Sequence, residues 1–378
     1  MKIIIYNNLV YNGGVERLFP LLAESLKKRG NDITVMASPE SKKEFETAFS
    51  PEIKSICTGL ARKKFDSKLK SGLYSLKSKA YKIIPLFKCL IHKYDVVIAF
   101  KEGHVFKNAL KIRAKVRYAW IHSDLTVFCR SLAFSIPFSG IEEFKKCLEK
   151  YDRVVCVSET TKRSVLEMVG DTGNLYVRYN PIDWRRIRTQ AQEKPEFIKN
   201  NTCPLIVSVG RLDPNKNYMM LLEACKTLYV KQAFELWILG DGPDRNKIEK
   251  YIQDNNLEFV KLLGFQRNPF SILKQADLYV STSLSESYGL AVQEALILGV
   301  PVIAVKCPGI IESLNPEFGK MIDNSAEELA DISYQLLTNT DELENYRKMI
   351  EKKYPLDLVF GERIDKICRL IEGSEEDP

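Results

Sequence analysis

The chain has 378 residues, of which 45% are hydrophobic and 28% charged, and its formal net charge is +7 at pH 7. This composition is typical of a folded globular protein, and the length favours two domains over one. No run of about eighteen apolar residues occurs, so no membrane span is predicted. The chain enters a strand at once, so we expect no signal peptide. Nine cysteines without C-x-x-C spacing indicate reduced thiols in the cytoplasm.

Apolar runs alternate with helical patterns along the first half of the chain. Strands are predicted at residues 2–6, 33–36, 95–100, 118–122 and 153–157. A helix is predicted to open at Gly13 and Gly14 and to continue through Leu26. The alternation of strand and helix predicts a parallel sheet with helices on its faces.

The same alternation restarts after a polar stretch. Strands are predicted at residues 205–209, 235–239, 260–263, 278–280 and 302–305. Residues 185–203 have no apolar period, which predicts a linker. We therefore expect an α/β protein with two Rossmann-like, doubly wound domains facing a cleft, at residues 1–184 and 204–355.

Two carboxylates eight residues apart, Glu286 and Glu294, flank a Gly-bearing helix start after a predicted strand. Ligands of open α/β sheets bind at this carboxyl end of the strands. Eight residues of helix rise about 12 Å, which is roughly the span from a nucleotide's ribose to a sugar on its diphosphate. The backbone N–H groups of Tyr288, Gly289 and Leu290 would suit a phosphate. This pattern predicts a site for a sugar nucleotide.

Further motifs occur in a fixed order before this one. In chain order the motifs are Arg211 with Lys216, Gly240-Asp-Gly-Pro243, Gly264 with Phe265, and Glu286 with Glu294. This series resembles the donor-binding half of retaining glycosyltransferases of family 4, which have the GT-B fold. Residues 13–16, 157–159 and 180–183 extend the resemblance over nearly the whole chain. It also implies that a helix at residues 356–373 crosses back to the N-terminal domain.

The resemblance implies a reaction as well as a fold. A sugar would pass from a nucleotide diphosphate, with UDP the expected nucleotide, to an acceptor hydroxyl with its anomeric configuration retained. No cofactor or bound metal is expected. Arg211 and Lys216 would stabilise the departing phosphate. Glu294 would accept hydrogen bonds from the ribose, and Glu286 from the transferred sugar.

The remaining candidates follow from position and from the resemblance. On the donor side they are Gly13, Gly14, Gly240, Gly264, Phe265, Tyr288, Gly289 and Leu290. His122, at the end of a predicted strand, stands where many family members carry a histidine that contacts the transferred sugar, and it is included among the catalytic residues. Glu102, His104 and Asp124 are candidates for the acceptor side.

The basic charge is concentrated in residues 54–93, which contain eleven Lys or Arg residues and one acid, Asp66, among apolar positions. Such a stretch suits an anionic membrane surface, although a solvated helix face explains it equally well. No nucleic-acid module accompanies it, so nucleic acid is not an expected partner. A lipid-linked or oligosaccharide acceptor and peripheral attachment to the inner face of the cell membrane are expected.

Two alternatives in other functional classes remain open at the sequence level. Sugar-nucleotide 2-epimerases share the two-domain architecture, and they turn over a donor without any acceptor. A non-catalytic sugar-nucleotide or membrane-binding protein would bind a donor without transfer or hydrolysis. The set formed by Arg211, Lys216, Glu286 and Glu294 argues against a pure binder, because such a protein has little use for stabilising a leaving phosphate.

Overall fold

The computed structural model describes residues 1–7, 14–37, 48–57, 92–130, 137–200 and 202–374, with residues 14–16 as backbone only. The chain divides into two compact units. The first unit comprises Met1–Pro181 and Gly361–Pro378, and the second comprises Ile182–Phe360. Each contains a parallel sheet with helices, so the predicted α/β fold with two doubly wound domains is confirmed.

The first unit is organised around a parallel sheet. Its described strands are β1 (Lys2–Tyr6), β2 (Asp32–Ala37), β3 (Lys54–Cys57), β4 (Tyr94–Ala99), β5 (Ala114–Ile121), β6 (Arg153–Cys156) and β7 (Leu175–Val177). Their order in space is β3-β2-β1-β4-β5-β6-β7. Ile3 of β1 pairs with Ile33 on one side and Val96 on the other. The strand order reverses between β1 and β4, and this reversal is the usual ligand position in such sheets.

The second unit repeats this design with a shorter sheet. Its described strands are β8 (Leu205–Val209), β9 (Glu235–Leu239), β10 (Val260–Gly264), β11 (Leu278–Ser281), β12 (Val302–Val305) and β13 (Gly319–Ile322). They lie in the order β10-β9-β8-β11-β12-β13, all parallel. The reversal here falls between β8 and β11, so the segments that follow these two strands emerge side by side.

Helices connect the strands in both units. The described helices are α1 (Gly14–Lys28), α2 (His104–Ala109), α3 (Leu125–Phe128), α4 (Ile141–Leu148), α5 (Glu159–Met168), α6 (Trp184–Gln190), α7 (Tyr218–Lys231), α8 (Arg245–Asp254), α9 (Phe270–Leu273), α10 (Leu290–Ile297), α11 (Pro308–Ser313), α12 (Ala326–Thr338), α13 (Thr340–Lys353) and α14 (Arg363–Glu372). A single 3₁₀ turn covers Pro214–Lys216, and a π-helical turn covers Leu358–Glu362.

Alternate residues of one strand enter different cores. In β8, Leu205 and Val207 pack in one apolar cluster while Ile206 packs in another, and all three are buried. Both faces of the sheet are therefore covered, which explains why its strands read as continuous apolar runs rather than alternating ones. The strength of that signal made these strands predictable.

The structure differs from the prediction between the two units. Within the predicted linker 185–203, α6 forms and buries Ile187, and the whole segment belongs to the second unit. The helix is seven residues long and has only two apolar residues, Trp184 and Ile187, which is too few to show an apolar period in the sequence. At the other end, α14 belongs to the first unit and packs on α1.

Much of the basic segment 54–93 lies outside the described residues, since residues 58–91 are not covered. Its first four residues form the edge strand β3, and residues 92 and 93 precede β4. The amphipathic pattern that suggested a membrane surface therefore remains a prediction.

Candidate functional site

Lys216 is held by a tight turn that follows β8. Asp213 accepts hydrogen bonds from the backbone N–H groups of Asn215 (3.1 Å) and Lys216 (3.3 Å), which closes the 3₁₀ turn. The aliphatic part of Lys216 crosses Gly210, where an added Cβ would lie 3.4 Å from its Cδ and Cε. A short capped turn and a glycine together fix where the ammonium group points.

Glu286 lies on the loop after β11 and meets Lys216 directly. Lys216 Nζ is 2.5 Å from Glu286 Oε1, and the two side chains are 23% and 19% exposed. The loop rests on Gly309, where a Cβ would lie 2.0 Å from the Glu286 carbonyl oxygen, so only glycine fits. The structure thus brings together two residues predicted separately, a cation for a phosphate and a carboxylate for a sugar hydroxyl.

The two loops are also joined by hydrogen bonds that the sequence did not reveal. Asn215 accepts from the Leu284 N–H at 2.8 Å, and its side-chain amide donates to the Ser285 carbonyl at 2.9 Å. Thr282 Oγ1 donates to the Lys216 carbonyl at 2.8 Å. We call residues 210–217 and 282–289 the paired loops. An Asp-Pro-Asn sequence signals a turn, but nothing in it indicates a partner about seventy residues away.

Helix α10 begins later than the two-carboxylate pattern assumed. Its N-cap is Gly289, in the left-handed region with φ 68°, and its first residue is Leu290. Glu286 therefore precedes the helix, so the two carboxylates are not separated by eight residues of continuous helix as the estimate from helical rise assumed. A Cβ at Gly289 would lie 2.7 Å from Ile310 Cδ1, so packing as well as φ requires glycine here. Tyr288, beside it, is buried.

Tyr279, on β11, the strand before the motif's loop, is fully buried. Burial raises its pKa well above the ordinary tyrosine value, and the charges of Tyr218, Glu286 and Glu294 add to the rise. Glu294 itself is half-buried on α10. The motif therefore has Glu286 on the loop before α10 and Glu294 within the helix, rather than both on one continuous helix.

Gly240 and Gly264 lie where the carboxyl ends of β8, β9 and β10 contact one another. A Cβ at Gly240 would lie 1.8 Å from the Gly210 carbonyl oxygen, so the turns after β8 and β9 touch through their backbones. The Gly240 N–H donates to the Gly264 carbonyl at 2.8 Å, which extends the contact to the end of β10. Phe265 follows and is 49% exposed. The glycines pack strand ends together, and Phe265 remains accessible.

Arg211 is much more exposed to solvent than Lys216. Its side chain is 71% exposed, with Nε 3.7 Å from Asp213 Oδ2. An exposed guanidinium near a fixed lysine can reach a ligand that the lysine already holds. In the predicted pair of cations, Lys216 is therefore held by its turn and Arg211 is exposed to solvent.

In the first unit, Glu102 and His122 meet at the carboxyl ends of β4 and β5. Glu102 Oε1 accepts hydrogen bonds from the backbone N–H groups of His122 (2.5 Å) and Ser123 (2.6 Å). The His122 ring lies 4.9 Å from the Phe100 ring. Glu102 and His122 are 4% and 6% exposed. We call Glu102, His122 and Phe100 the buried cluster.

Burial controls the charges of this cluster. It lowers the pKa of His122 to about 3, with the positive charge of Lys101 as a second cause. Burial also raises the pKa of Glu102, although the N–H groups that it accepts from oppose the rise. His122 is therefore neutral at ordinary pH. Glu102 acts on backbone N–H groups of the His122 loop rather than as an exposed acceptor-side group.

The other first-unit candidates are spread along the same edge. Asp124 accepts hydrogen bonds from Thr126 N (2.9 Å) and Oγ1 (2.7 Å), so it caps α3. His104 is exposed at the start of α2. Gly14 opens α1, and Gly13 lies outside the described residues.

Two family models match consecutive parts of the chain. The model described as Glycosyltransferase Family 4 matches residues 12–186, and the model described as Glycosyl transferases group 1 matches residues 189–354. The chain belongs to glycosyltransferase family 4. The resemblance inferred from the motifs is thereby confirmed.

Relatives in this family match parts of the chain. N-acetyl-alpha-D-glucosaminyl L-malate synthase from Bacillus anthracis is 28% identical over 44% of this chain and 44% of its own length. N-acetylgalactosamine-N,N'-diacetylbacillosaminyl-diphospho-undecaprenol 4-alpha-N-acetylgalactosaminyltransferase from Campylobacter jejuni is 30% identical over 39% of this chain and 40% of its own length. The chain thus matches less than half of the length of either relative.

Solved structures with the same fold match nearly the whole chain. HepE from Anabaena, in complex with UDP and glucose, superimposes with a TM-score of 0.76 over 98% of this chain and 99% of that one, at 17% identity. Sucrose-phosphate synthase from Thermosynechococcus elongatus gives 0.73 over 99% and 100%, also at 17% identity. The predicted GT-B fold is confirmed.

None of the helices described here has both the length and the apolar composition needed to cross a bilayer. Among the described residues, no group of three or more His, Cys, Asp or Glu side chains is arranged to hold a metal ion.

Proposed function

We propose that this family 4 protein is a retaining glycosyltransferase that moves a sugar from a UDP-sugar to an acceptor hydroxyl. The observation that carries the proposal is the contact between Lys216 and Glu286 at the carboxyl end of β8 and β11. In a sugar nucleotide, a phosphate lies next to the hydroxyls of the sugar. Lys216 is suited to bind the phosphate, and Glu286 is suited to accept hydrogen bonds from the sugar hydroxyls. In the structure Lys216 donates a hydrogen bond to Glu286.

The cations have the task of stabilising the leaving diphosphate. Lys216 is fixed by its turn and supplies a positioned charge, while the exposed Arg211 can close on the phosphate as a planar donor. Charge develops on the phosphate as the glycosidic bond breaks, and preorganised cations stabilise that charge most. The N–H groups of Tyr288, Gly289 and Leu290 are proposed as further phosphate donors.

The carboxylates have the task of positioning the donor. Glu286 would accept from hydroxyls of the sugar and Glu294 from the ribose. His122 of the first unit is proposed to contact the transferred sugar as a neutral imidazole, and its ring nitrogens have no side-chain partner among the described residues. Retention follows if the acceptor attacks on the face from which the phosphate leaves, with that phosphate taking the proton.

A lipid-linked saccharide is the proposed acceptor, with an oligosaccharide as the alternative. The Campylobacter relative, whose name specifies an undecaprenol diphosphate, supports this class. The basic residues of segment 54–93 would hold the enzyme on the anionic cytoplasmic face of the membrane. UDP is supported as the nucleotide by the HepE complex.

The first test is a thermal-shift comparison of UDP, GDP, ADP and CMP, without metal and then with magnesium. A shift selective for UDP is expected, followed by UDP release from a UDP-sugar when lipid-linked acceptor is added. Proton NMR of the product should show the anomeric configuration of the donor. No shift with any nucleotide would contradict the proposal. Turnover without acceptor that yields an isomer of the donor would indicate an epimerase, and binding without turnover a non-catalytic protein.

A further inference from the structure

We propose that Asn215 is a positioning residue, which keeps Lys216 and Glu286 in contact by joining the paired loops. The proposal rests on the proposed function, since it assigns a role within the same site. Asn215 directly precedes Lys216, and it bonds to the two residues that directly precede Glu286. Asn215 therefore adjoins Lys216 in the chain and reaches the Glu286 loop through its backbone carbonyl and its side-chain amide.

The contact has two points, which restricts how the loops can move. The backbone carbonyl of Asn215 accepts a hydrogen bond from the Leu284 N–H at 2.8 Å. The side-chain Nδ2 of Asn215 donates to the Ser285 carbonyl at 2.9 Å. The Asn215 N–H is itself held by Asp213, at 3.1 Å. One hydrogen bond would permit the loops to pivot, whereas two on adjacent residues fix both separation and direction.

Other cross-loop contacts do not replace this one. Thr282 bonds to the Lys216 carbonyl at 2.8 Å, but it lies four residues before Glu286. Asn215, in contrast, bonds to the two residues directly before Glu286. Gly309 supports the Glu286 carbonyl from the opposite side, on α11. Asn215 thus fixes the Glu286 loop relative to the turn after β8 through these two hydrogen bonds.

Asn215→Asp is the sharpest single change. It keeps the size of the side chain but replaces the amide donor with an oxygen that faces the Ser285 carbonyl, where two acceptors repel. Displacement of a catalytic group by about 1 Å can cost on the order of 100-fold in rate. We expect kcat for UDP release to fall by roughly 10- to 100-fold, while KM changes less than about threefold.

The control is Asn255→Asp, at the end of α8. Asn255 Nδ2 donates to the Tyr251 carbonyl at 2.9 Å, so the substitution removes the same kind of bond at the same length in a half-buried site of the same unit. It should change kcat by less than about twofold. If Asn215→Asp unfolds the protein, Asn215→Ala removes the amide donor without adding a charge and provides the same test.

The experiment measures initial rates of UDP release from UDP-glucose, UDP-galactose and UDP-N-acetylglucosamine for Asn215→Asp, Glu286→Gln and the double variant. If Asn215 acts through the Lys216–Glu286 contact, its substitution costs less than about threefold once Glu286→Gln is present. An equal loss in both backgrounds, or a loss no larger than that of Asn255→Asp, would overturn the role of Asn215 and leave the proposed function intact. No UDP release by the unsubstituted protein from any donor, together with no UDP binding, would overturn both.

Discussion

The paired loops of the second unit and the buried cluster of the first unit handle charge in opposite ways. Lys216 and Glu286 retain partial exposure and meet as an ion pair. His122 and Glu102 are almost fully buried, and burial lowers the pKa of His122 to about 3. Both sites lie at the carboxyl edge of a parallel sheet, so position in the fold does not cause the difference.

The difference shows what each site can offer a ligand. A side chain stays ionised when water and an opposite charge stabilise its charged form. It becomes neutral when the cost of removing it from water exceeds these two contributions. The paired loops therefore retain the two opposite charges that the proposed diphosphate and its neighbouring hydroxyls require. The buried cluster offers a neutral imidazole on a loop whose backbone is held by a carboxylate. Each of the following substitutions tests one side of this contrast.

The largest effect is expected for Lys216→Ala. It removes a positioned charge from the leaving phosphate, and loss of one such donor costs about 100- to 1,000-fold in kcat. UDP release from the donor measures it. Lys306→Ala is the control, because Lys306 forms an exposed ion pair with Asp323 at 2.9 Å in the same unit. Equal rates for the two variants would contradict the role of Lys216.

A smaller loss is expected for Glu286→Gln. The amide keeps one acceptor oxygen but loses the charge that strengthens hydrogen bonds to sugar hydroxyls, at a cost of about 10- to 100-fold. The same assay applies, and the fall should be similar in kcat and in kcat/KM. Glu317→Gln, which alters an exposed pair with Lys353, should retain nearly full activity. A Glu286→Gln enzyme as active as this control would remove Glu286 from the mechanism.

The buried cluster predicts a dependence of stability on pH. The folded-state pKa of His122, about 3, lies below its ordinary 6.5, so the unfolded chain binds more protons between these values. Stability should thus fall as pH falls from 6.5 towards 3, by about 2–3 kcal/mol at pH 4.5.

His122→Gln removes this titration. Urea unfolding of the variant and of the original protein, at pH 7.5 and pH 4.5, measures the difference in the pH-dependent loss. The variant should lose about 2 kcal/mol less on acidification. His104→Gln alters an exposed imidazole on the same edge and is the matched control. If the losses for the original protein and His122→Gln coincide, His122 is not buried neutral.

The smallest effect is expected for Arg211→Lys. The charge remains but the planar donor is lost, and because the side chain is 71% exposed the substitution should disturb the fold little. A loss of about tenfold in kcat/KM is expected from the lost two-point contact with a phosphate. Arg211→Ala should cost more than Arg211→Lys. A result in which both variants match the original enzyme would leave Lys216 as the sole cation of the site.

The sequence predicted the central strands because they are apolar on both faces. The edge strands β3, β7 and β13 were missed, since each has three or four residues and is only partly buried. Edge strands need not be apolar on both sides, so among the four edge strands only β10, which has the apolar run Val260-Lys-Leu-Leu263, was predicted.

In the candidate site, residues that belong to a motif were predicted, and residues that act through distant contacts were not. Lys216 and Glu286 were found because their chemistry and spacing repeat a family motif. Asn215 and Thr282 were not found, because their partners lie 66–70 residues away and the hydrogen bonds involve backbone carbonyls that every residue has. The start of α10 at Leu290 was also missed, since the length of a loop before a glycine N-cap depends on packing against α11.

The placement of β8 beside β11 has a consequence for how the protein is made. Lys216 and Glu286 are 70 residues apart, and the whole of β9 and β10 is synthesised between them. At about 5–20 residues per second, the ribosome needs roughly 4–14 s to make this interval. During that time the β8 turn and its lysine have no counterpart, and β8 has an open edge where β11 will pair. We therefore expect chains that end before β11 to be prone to aggregation, and the candidate site to be one of the last parts of the second unit to form.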